Sequence, residues 1–311
     1  MSDPRERIRR LRDERRAVLL AHYYQRQDVQ AVADHVGDSL GLAQRAAMTP
    51  AQVIVFCGVR FMAETAAVLC PDKTVLLPDP AAGCPMADMA TARAVQQWKR
   101  DHPDGIVVAY VNSTAAVKAQ SDICCTSANA TTVVRSLPED FPMLFVPDRN
   151  LGHYVRRRTG RRMDLWRGWC PTHERMLPEH VSQARRSHPQ AAVVVHPECR
   201  PAVVDMADAV ASTSGILAYC ESSEQREFIV GTENGFMDVL RRRCPDKVFY
   251  PASPFADCPN MKRITLEKIV ASLEGLSPVV AVPHAQAAAA RRPLERMLAL
   301  GREPVRERVK G

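Results

Sequence analysis

Hydrophobic and polar positions along this chain recur with a long step. "VLLAHYY" (18–24), "IVVAYVN" (106–112) and "AVVVHPE" (192–198) are short apolar runs that end in polar or ionisable groups. His22, Tyr110 and His196 within them are spaced by 88 and 86 residues. Next come "DHVGDSLG", "SDICCTSA" and "ADAVASTSG", where Ser39, Ser127 and Thr213 keep the same 88 and 86. "VIVFCGVRF", "PMLFVPDRN" and "EFIVGTENG" follow, and a fourth run precedes each of Cys84, Cys170 and Cys258, spaced by 86 and 88. A fixed period of this size marks internally repeated architecture. Each unit reads as four short strands separated by helical stretches. Val29, Val32, Ala33 and Val36 fall at i, i+3, i+4 and i+7, which predicts one apolar helix face. Val203, Ala207 and Val210 do the same after Pro201, a residue suited to a first helical turn.

Strands that are apolar on both faces and alternate with helices imply parallel sheets covered by helices. The fold class is therefore α/β: three pseudo-symmetric, three-layer α/β/α domains with short parallel sheets around a central active site. The expected boundaries are 1–92, 93–181 and 182–273, with a helical tail over 274–311 packing on the first unit. Ligands of parallel α/β sheets sit beyond the carboxyl ends of the strands. The polar strand tips, the Ser/Thr positions and the Cys-Pro pairs all fall at that end. Three units facing inward bring them to one cavity.

With 311 residues and a 46% apolar share, the chain is long enough for two or three compact units. No apolar run approaches the roughly 18 residues of a membrane span. The opening "MSDPRERIRRLRDERR" has no apolar h-region, so a cytoplasmic location is expected rather than secretion. Structural disulfides are rare there, so the ten cysteines read as small hydrophobes, metal ligands or reactive thiols. The net charge of +7 draws much of its excess from "HYVRRRTGRRMDLWRG". A solvated basic face explains it better than a nucleic-acid patch, and attraction of small anionic substrates is a third reading.

"CPDKTVLLPDPAAGCP" (70–85) and "CPDKVFYPASPFADCP" (244–259) repeat within the chain. Cys70 and Cys244 match each other, but their place in the middle unit falls around Arg156–Arg158. Only Cys84, Cys170 and Cys258 recur in all three units. The proline after each holds the cysteine away from the α region and removes one N–H from its surroundings. Three thiolates around an axis suit Zn²⁺ with an open position or a [4Fe–4S] cluster whose fourth iron is open as a Lewis acid. Spacing does not choose between them.

The stretches "AHYYQRQDVQAVADHVGDSLGLA", "GVRFMAETA", "DPAAGCPMADM", "AYVNSTAAVKAQSDICCTSANA", "VPDRNLGHYV", "HPECRPAVVDMAD", "STSGI", "GTENG" and "DCPNMK" resemble the quinolinate synthase family, the A protein of bacterial NAD biosynthesis. The resemblance runs from about residue 16 to 275. It implies three α/β domains around a pseudo-three-fold axis. It implies condensation of iminoaspartate with dihydroxyacetone phosphate to quinolinate, releasing phosphate and two waters, a transferase forming a carbon–carbon bond with dehydration. It also implies a [4Fe–4S] cluster on Cys84, Cys170 and Cys258, and a functional link to the enzyme that makes iminoaspartate. The C-x2-C-x2-C that some relatives carry near the C-terminus is absent here.

Against that background His22, Tyr24, Tyr110, Asn112, His173, His196 and Glu198 are expected in the site. Glu198 is the candidate base, with His196 beside it, while Tyr24 and Tyr110 are further catalytic candidates. Ser39, Ser127, Ser212 and Thr213 are expected to hold phosphate or carboxylates at helix starts, the bland reading being ordinary N-caps. Cys57, Cys124, Cys125, Cys199 and Cys220 read as packing residues. Two other functions compete. One is another cluster-dependent hydro-lyase acting on a small di-acid. The other is an iron–sulfur redox sensor that binds nucleic acid, which no helix-turn-helix or aromatic-interleaved basic stretch supports. No nucleic-acid or membrane partner is expected.

Overall fold

The structure is a computed structural model that describes residues 3–301; the last ten residues of the expected tail lie outside them. Three four-stranded sheets follow one another along the chain. The first comprises β1 (Ala17–His22), β2 (His35–Gly37), β3 (Val53–Cys57) and β4 (Thr74–Leu76). The second comprises β5 (Ile106–Tyr110), β6 (Ile123–Cys125), β7 (Met143–Val146) and β8 (Asp164–Leu165). The third comprises β9 (Ala192–Val195), β10 (Ala209–Val210), β11 (Glu227–Gly231) and β12 (Val248–Pro251). The orders β2-β1-β3-β4, β6-β5-β7-β8 and β10-β9-β11-β12 are the same three times. All pairings within the sheets are parallel. Helices cover both faces, so the central strands are buried throughout: Val53–Cys57, Met143–Val146 and Ala192–Val195 have no exposed residue.

Two polar devices repeat with the strands. Asp34, Asp122 and Asp208 each stand just before the second strand of a sheet. Their carboxylates accept the N–H of Leu19, Val107 and Val193 at 2.8, 2.8 and 2.9 Å. Each also meets a basic partner, Arg12, Lys99 or Arg185. The second device answers the repeated Cys-Pro-Asp-Lys. Lys73, Arg161 and Lys247 reach back to carbonyls at the end of an earlier helix: Thr49, then Val134 with Leu137, then Cys220 with Ser223. Carbonyls at a helix end lack the N–H of a following turn, and a cation there also suits the negative helix end. Cys70 and Cys244 are buried and close the C-termini of the helices Arg60–Leu69 and Phe236–Arg243.

Two expected helix faces are shorter than their periodicity. The helices are Gln27–Val32 and Pro201–Val204, and Val36 and Val210 belong to β2 and β10. The apolar step runs on across the break because the helix face and the strand both point into one core. The helix Leu266–Gly275 packs on the helix Pro4–Glu14 and on β3. The tail forms the helix His284–Ala299, which lies on the helix Arg60–Leu69 and across β6 and the short helix Ala115–Lys118. It therefore touches the second unit as well as the first.

Candidate active site

The carboxyl ends of the three sheets open on one cavity of about 180 Å³. Its wall carries His22 and Tyr24 from the tip of β1, Tyr110 and Asn112 from β5, and His196 and Glu198 from β9. It also carries Ser39, Ser127 and Thr213, the thiols Cys84, Cys170 and Cys258, and His173. Ser212 is not on the wall; it caps the helix Thr213–Ser222 through Gly215 N–H. The cap of Ser39–Met48 is likewise Asp38, which accepts from Gly41 N–H at 2.9 Å. Ser39 and Thr213 are thus the first residues inside their helices, not caps. Their hydroxyls and first-turn N–H groups are available to an anion. Ser127 follows β6, ahead of the helix Ala130–Arg135, and its Oγ lies 3.2 Å from His196 Nε2.

Two strand tips share one local geometry. His22 Nδ1 accepts the N–H of Tyr24 at 3.1 Å, and His196 Nδ1 accepts the N–H of Glu198 at 3.3 Å. An accepting Nδ1 puts the proton of a neutral imidazole on Nε2. Burial pushes His22 down to about 4 and His196 down to about 3. Both rings are therefore neutral donors near neutral pH. Asn112 Oδ1 is buried and has no hydrogen-bond partner among the described residues. An orphan acceptor on a cavity wall is the mark of a donor supplied by a ligand.

The centre of the network was not expected to be His173, whose bland reading is a loop residue on the surface. It is buried, with Nδ1 at 2.7 Å from Glu198 Oε2 and Nε2 at 2.9 Å from Thr232 Oγ1. Thr232 Oγ1 lies 2.6 Å from the hydroxyl of Tyr24. The other Glu198 oxygen accepts from Tyr110 at 2.5 Å. One continuous chain thus runs Tyr24, Thr232, His173, Glu198, Tyr110. His196 is farther from the carboxylate, at 3.8 Å. Burial alone pushes Glu198 up, but His173, His196 and Tyr110 outweigh it and hold the carboxyl down at about 2. Burial and the Glu198 charge push both phenols well above 10. A hydroxyl, an imidazole and an orienting carboxylate in this order form the constellation that moves protons in acyl-transfer enzymes.

Three further residues were missed by sequence reasoning. Thr232 belongs to the link just described. Asn150 holds the Glu198 loop, donating to the Glu198 carbonyl at 3.0 Å and to Glu174 at 3.0 Å. Glu233 lines the cavity and is fully buried, with Lys262 Nζ at 3.0 Å from its Oε1.

Donor atoms of Cys170, His173 and Glu198 all lie within 4.8 Å of one another, a group that can hold a metal ion. The three Cys-Pro thiols share a second property. Proline opens a helical turn after Cys84 and Cys170. The amides of Met86 and Ala87 favour the Cys84 thiolate, that of His173 favours Cys170, and those of Asn260 and Met261 favour Cys258. Burial nevertheless pushes Cys84 up to about 12 and raises the other two. Cys258 adds to the rise at Cys84, and Cys84 to that at Cys170. Neighbouring buried thiols become thiolates when a metal supplies the charge.

The chain matches the Quinolinate synthetase A protein family over residues 6–299. It belongs to that family. It is similar to the quinolinate synthase of Desulforudis audaxviator, with 55% identity over 94% of this chain and 97% of that protein. The quinolinate synthase of Methanosarcina barkeri is 52% identical over 95% and 97%, and that of Geobacter metallireducens 54% over 96% and 98%. Among the described residues no helix is long and apolar enough to cross a membrane.

Proposed function

We propose that the chain is a quinolinate synthase of NAD biosynthesis. It condenses iminoaspartate with dihydroxyacetone phosphate and releases phosphate and two waters. The observation that carries this reading is the meeting of three Cys-Pro thiols, three polar strand tips and three hydroxyls in one cavity. Cys84, Cys170 and Cys258 would hold a [4Fe–4S] cluster. When bound, it supplies an open iron as a Lewis acid toward substrate oxygens.

The side chains supply the rest. Ser39, Ser127 and Thr213 fit substrates that bear two carboxylates and one phosphate. Neutral His22 and His196 can donate to anionic oxygens without adding a charge, and the Asn112 orphan oxygen receives a substrate donor. Tyr24 stays protonated and is suited to give a proton to a departing hydroxyl. Its proton is replaced along Thr232 from His173, whose other ring nitrogen faces Glu198. The base of the reaction is then the His173–Glu198 pair rather than the carboxylate alone, since a carboxyl held at about 2 is a weak base by itself. Iminoaspartate is an imine that water destroys, so the oxidation that makes it should be functionally linked, in the cytoplasm.

A second reading puts one metal ion on Cys170, His173 and Glu198, which the close donor atoms favour. It leaves Cys84 and Cys258 without a task. Anaerobic reconstitution decides. The expected protein holds about four irons per chain and makes quinolinate from the two substrates. One zinc per chain with no quinolinate would overturn the proposal.

A further inference from the structure

Behind Cys258 stands an ion pair between a fully buried carboxylate and a partly exposed lysine, which the proposed chemistry leaves unused. Glu233 Oε1 accepts the Cys258 N–H at 3.2 Å and meets Lys262 Nζ at 3.0 Å. Oε2 accepts the Gly235 N–H at 3.0 Å. Lys262 Nζ also donates to the Tyr24 carbonyl at 2.5 Å. A Cβ at Gly235 would meet the Lys262 ammonium, and Glu233 Oε2 at 2.9 Å, so the glycine makes room for the pair. Two side chains thereby join three segments: the loop after β1, the loop after β11, and the turn that starts at Cys258.

We propose that Glu233 is a positioning residue. With Lys262 it latches the Cys258 turn to the Tyr24 backbone, so that the third cluster thiol and the reacting phenol are set together. The inference rests on the reading of Cys258 as a cluster ligand. The geometry gives a physical reason for the pair here. Glu233 ties down an amide beside the thiol, and Lys262 cancels the charge that this places near the metal. Removing Lys262 alone leaves the Glu233 charge uncompensated in a buried setting.

Two measurements on the full chain test the latch. In the first, metal-free protein is alkylated and the labelled cysteines are read by mass spectrometry. Glu233→Gln and Lys262→Met should each label Cys258 at least about tenfold faster, because local opening of its turn is no longer opposed. Cys84 labelling should stay unchanged. Lys262 is partly exposed, so its variant should fold even if Glu233→Gln does not. Unchanged Cys258 labelling in a folded Lys262→Met overturns the latch, whether or not the protein carries a cluster. In the second, the reconstituted proteins are titrated for the cluster's reduction potential. Losing a negative neighbour should raise it in Glu233→Gln, and losing a positive one should lower it in Lys262→Met. A mere loosening of the loop would not give opposite signs, so shifts of the same sign, or none, overturn the coupling. Absence of any iron–sulfur cluster in the parent would defeat the proposed function instead, and the labelling result would still decide the latch.

Discussion

His173 Nδ1 lies 2.7 Å from Glu198 Oε2, and the two residues come from different units of the repeat. Each of them contacts one of the two cavity tyrosines, His173 through Thr232 and Glu198 directly. A pair so placed can take a proton at one side of the cavity and return it at the other.

Glu198→Gln keeps the size of the side chain and removes its charge. Turnover should fall about 10²- to 10⁴-fold, the usual contribution of a positioned acid–base group. His173→Asn should fall by a similar factor, and the double variant little further, because residues that act as a unit are not additive. Iron content should survive in Glu198→Gln. Near-normal turnover in that variant, with metal fully loaded, would return Glu198 to a structural role.

Thr232 is the link between Tyr24 and His173. Thr232→Val keeps the shape and removes the hydroxyl, so turnover should fall by roughly 10- to 100-fold, at the low end of a proton-transfer contribution. Thr232→Ser restores a hydroxyl and should recover most of the loss. If valine and serine behave alike in steady-state turnover, the link carries no protons.

Why the sequence revealed some residues and hid others follows from how the repeat works. The strands were legible because each is a continuous apolar run, buried on both faces by helices. The three thiols and the strand-tip residues were legible because they recur in step. Thr232 does not recur: the positions matching it at the 86- and 88-residue steps are Val146 and Gly58. A residue unique to one unit is invisible to a search for repetition, although "GTENG" carries it. Glu233 was hidden for the same reason. Val36 and Val210 misled because Asp34 and Asp208, bonded to the first strands, end a helix without ending the apolar step. Asp38 and Ser212, not Ser39 and Thr213, became caps, a shift of one residue that leaves the two hydroxyls free for the cavity.

His22 and His196 should make stability depend on pH. They are held at about 4 and about 3, whereas an unfolded histidine titrates near about 6.5. Between those limits the unfolded chain binds protons that the native chain does not, so stability rises with pH. The depressed Glu198 adds stability above its unfolded value of about 4.3, which is lost as pH falls toward about 2. From pH about 6 down to about 4, each histidine should cost up to about 1.4 kcal/mol per pH unit. Urea unfolding of the metal-free chain measures this, and His22→Gln with His196→Gln should flatten the slope. A slope unchanged by the double variant would refute the assignment.

The repeated carboxylates should act as separate staples. Asp122→Asn keeps an oxygen for the Val107 N–H but loses the charge facing Lys99. Its cost should be about 1 kcal/mol, as for a half-exposed charged hydrogen bond. Asp122→Ala leaves a strand N–H without its partner and should cost about 1–3 kcal/mol. Equal midpoints for the two variants in denaturant would show that the strand bond contributes nothing.

The cysteines divide into two groups that one set of substitutions can separate. Cys84, Cys170 and Cys258 open into the cavity, whereas Cys70 and Cys244 close helices away from it. Serine in any of the first three removes a soft ligand of the proposed cluster, so anaerobically prepared protein should lose its iron and its brown colour. The fold should persist, because the cavity wall is shared among many elements and no single thiol spans it. Cys70→Ser should keep all its iron. Its cost is in stability: Cys70 Sγ contacts the Ala46 carbonyl at 3.1 Å in a buried setting. A hydroxyl there can still donate, but it packs less well, and the loss should be about 1 kcal/mol. Cys244→Ser should follow the same pattern. Iron content and melting temperature, measured on all five variants, should therefore move independently. Loss of iron in Cys70→Ser with its melting temperature intact would mean that the repeat led to the wrong thiols.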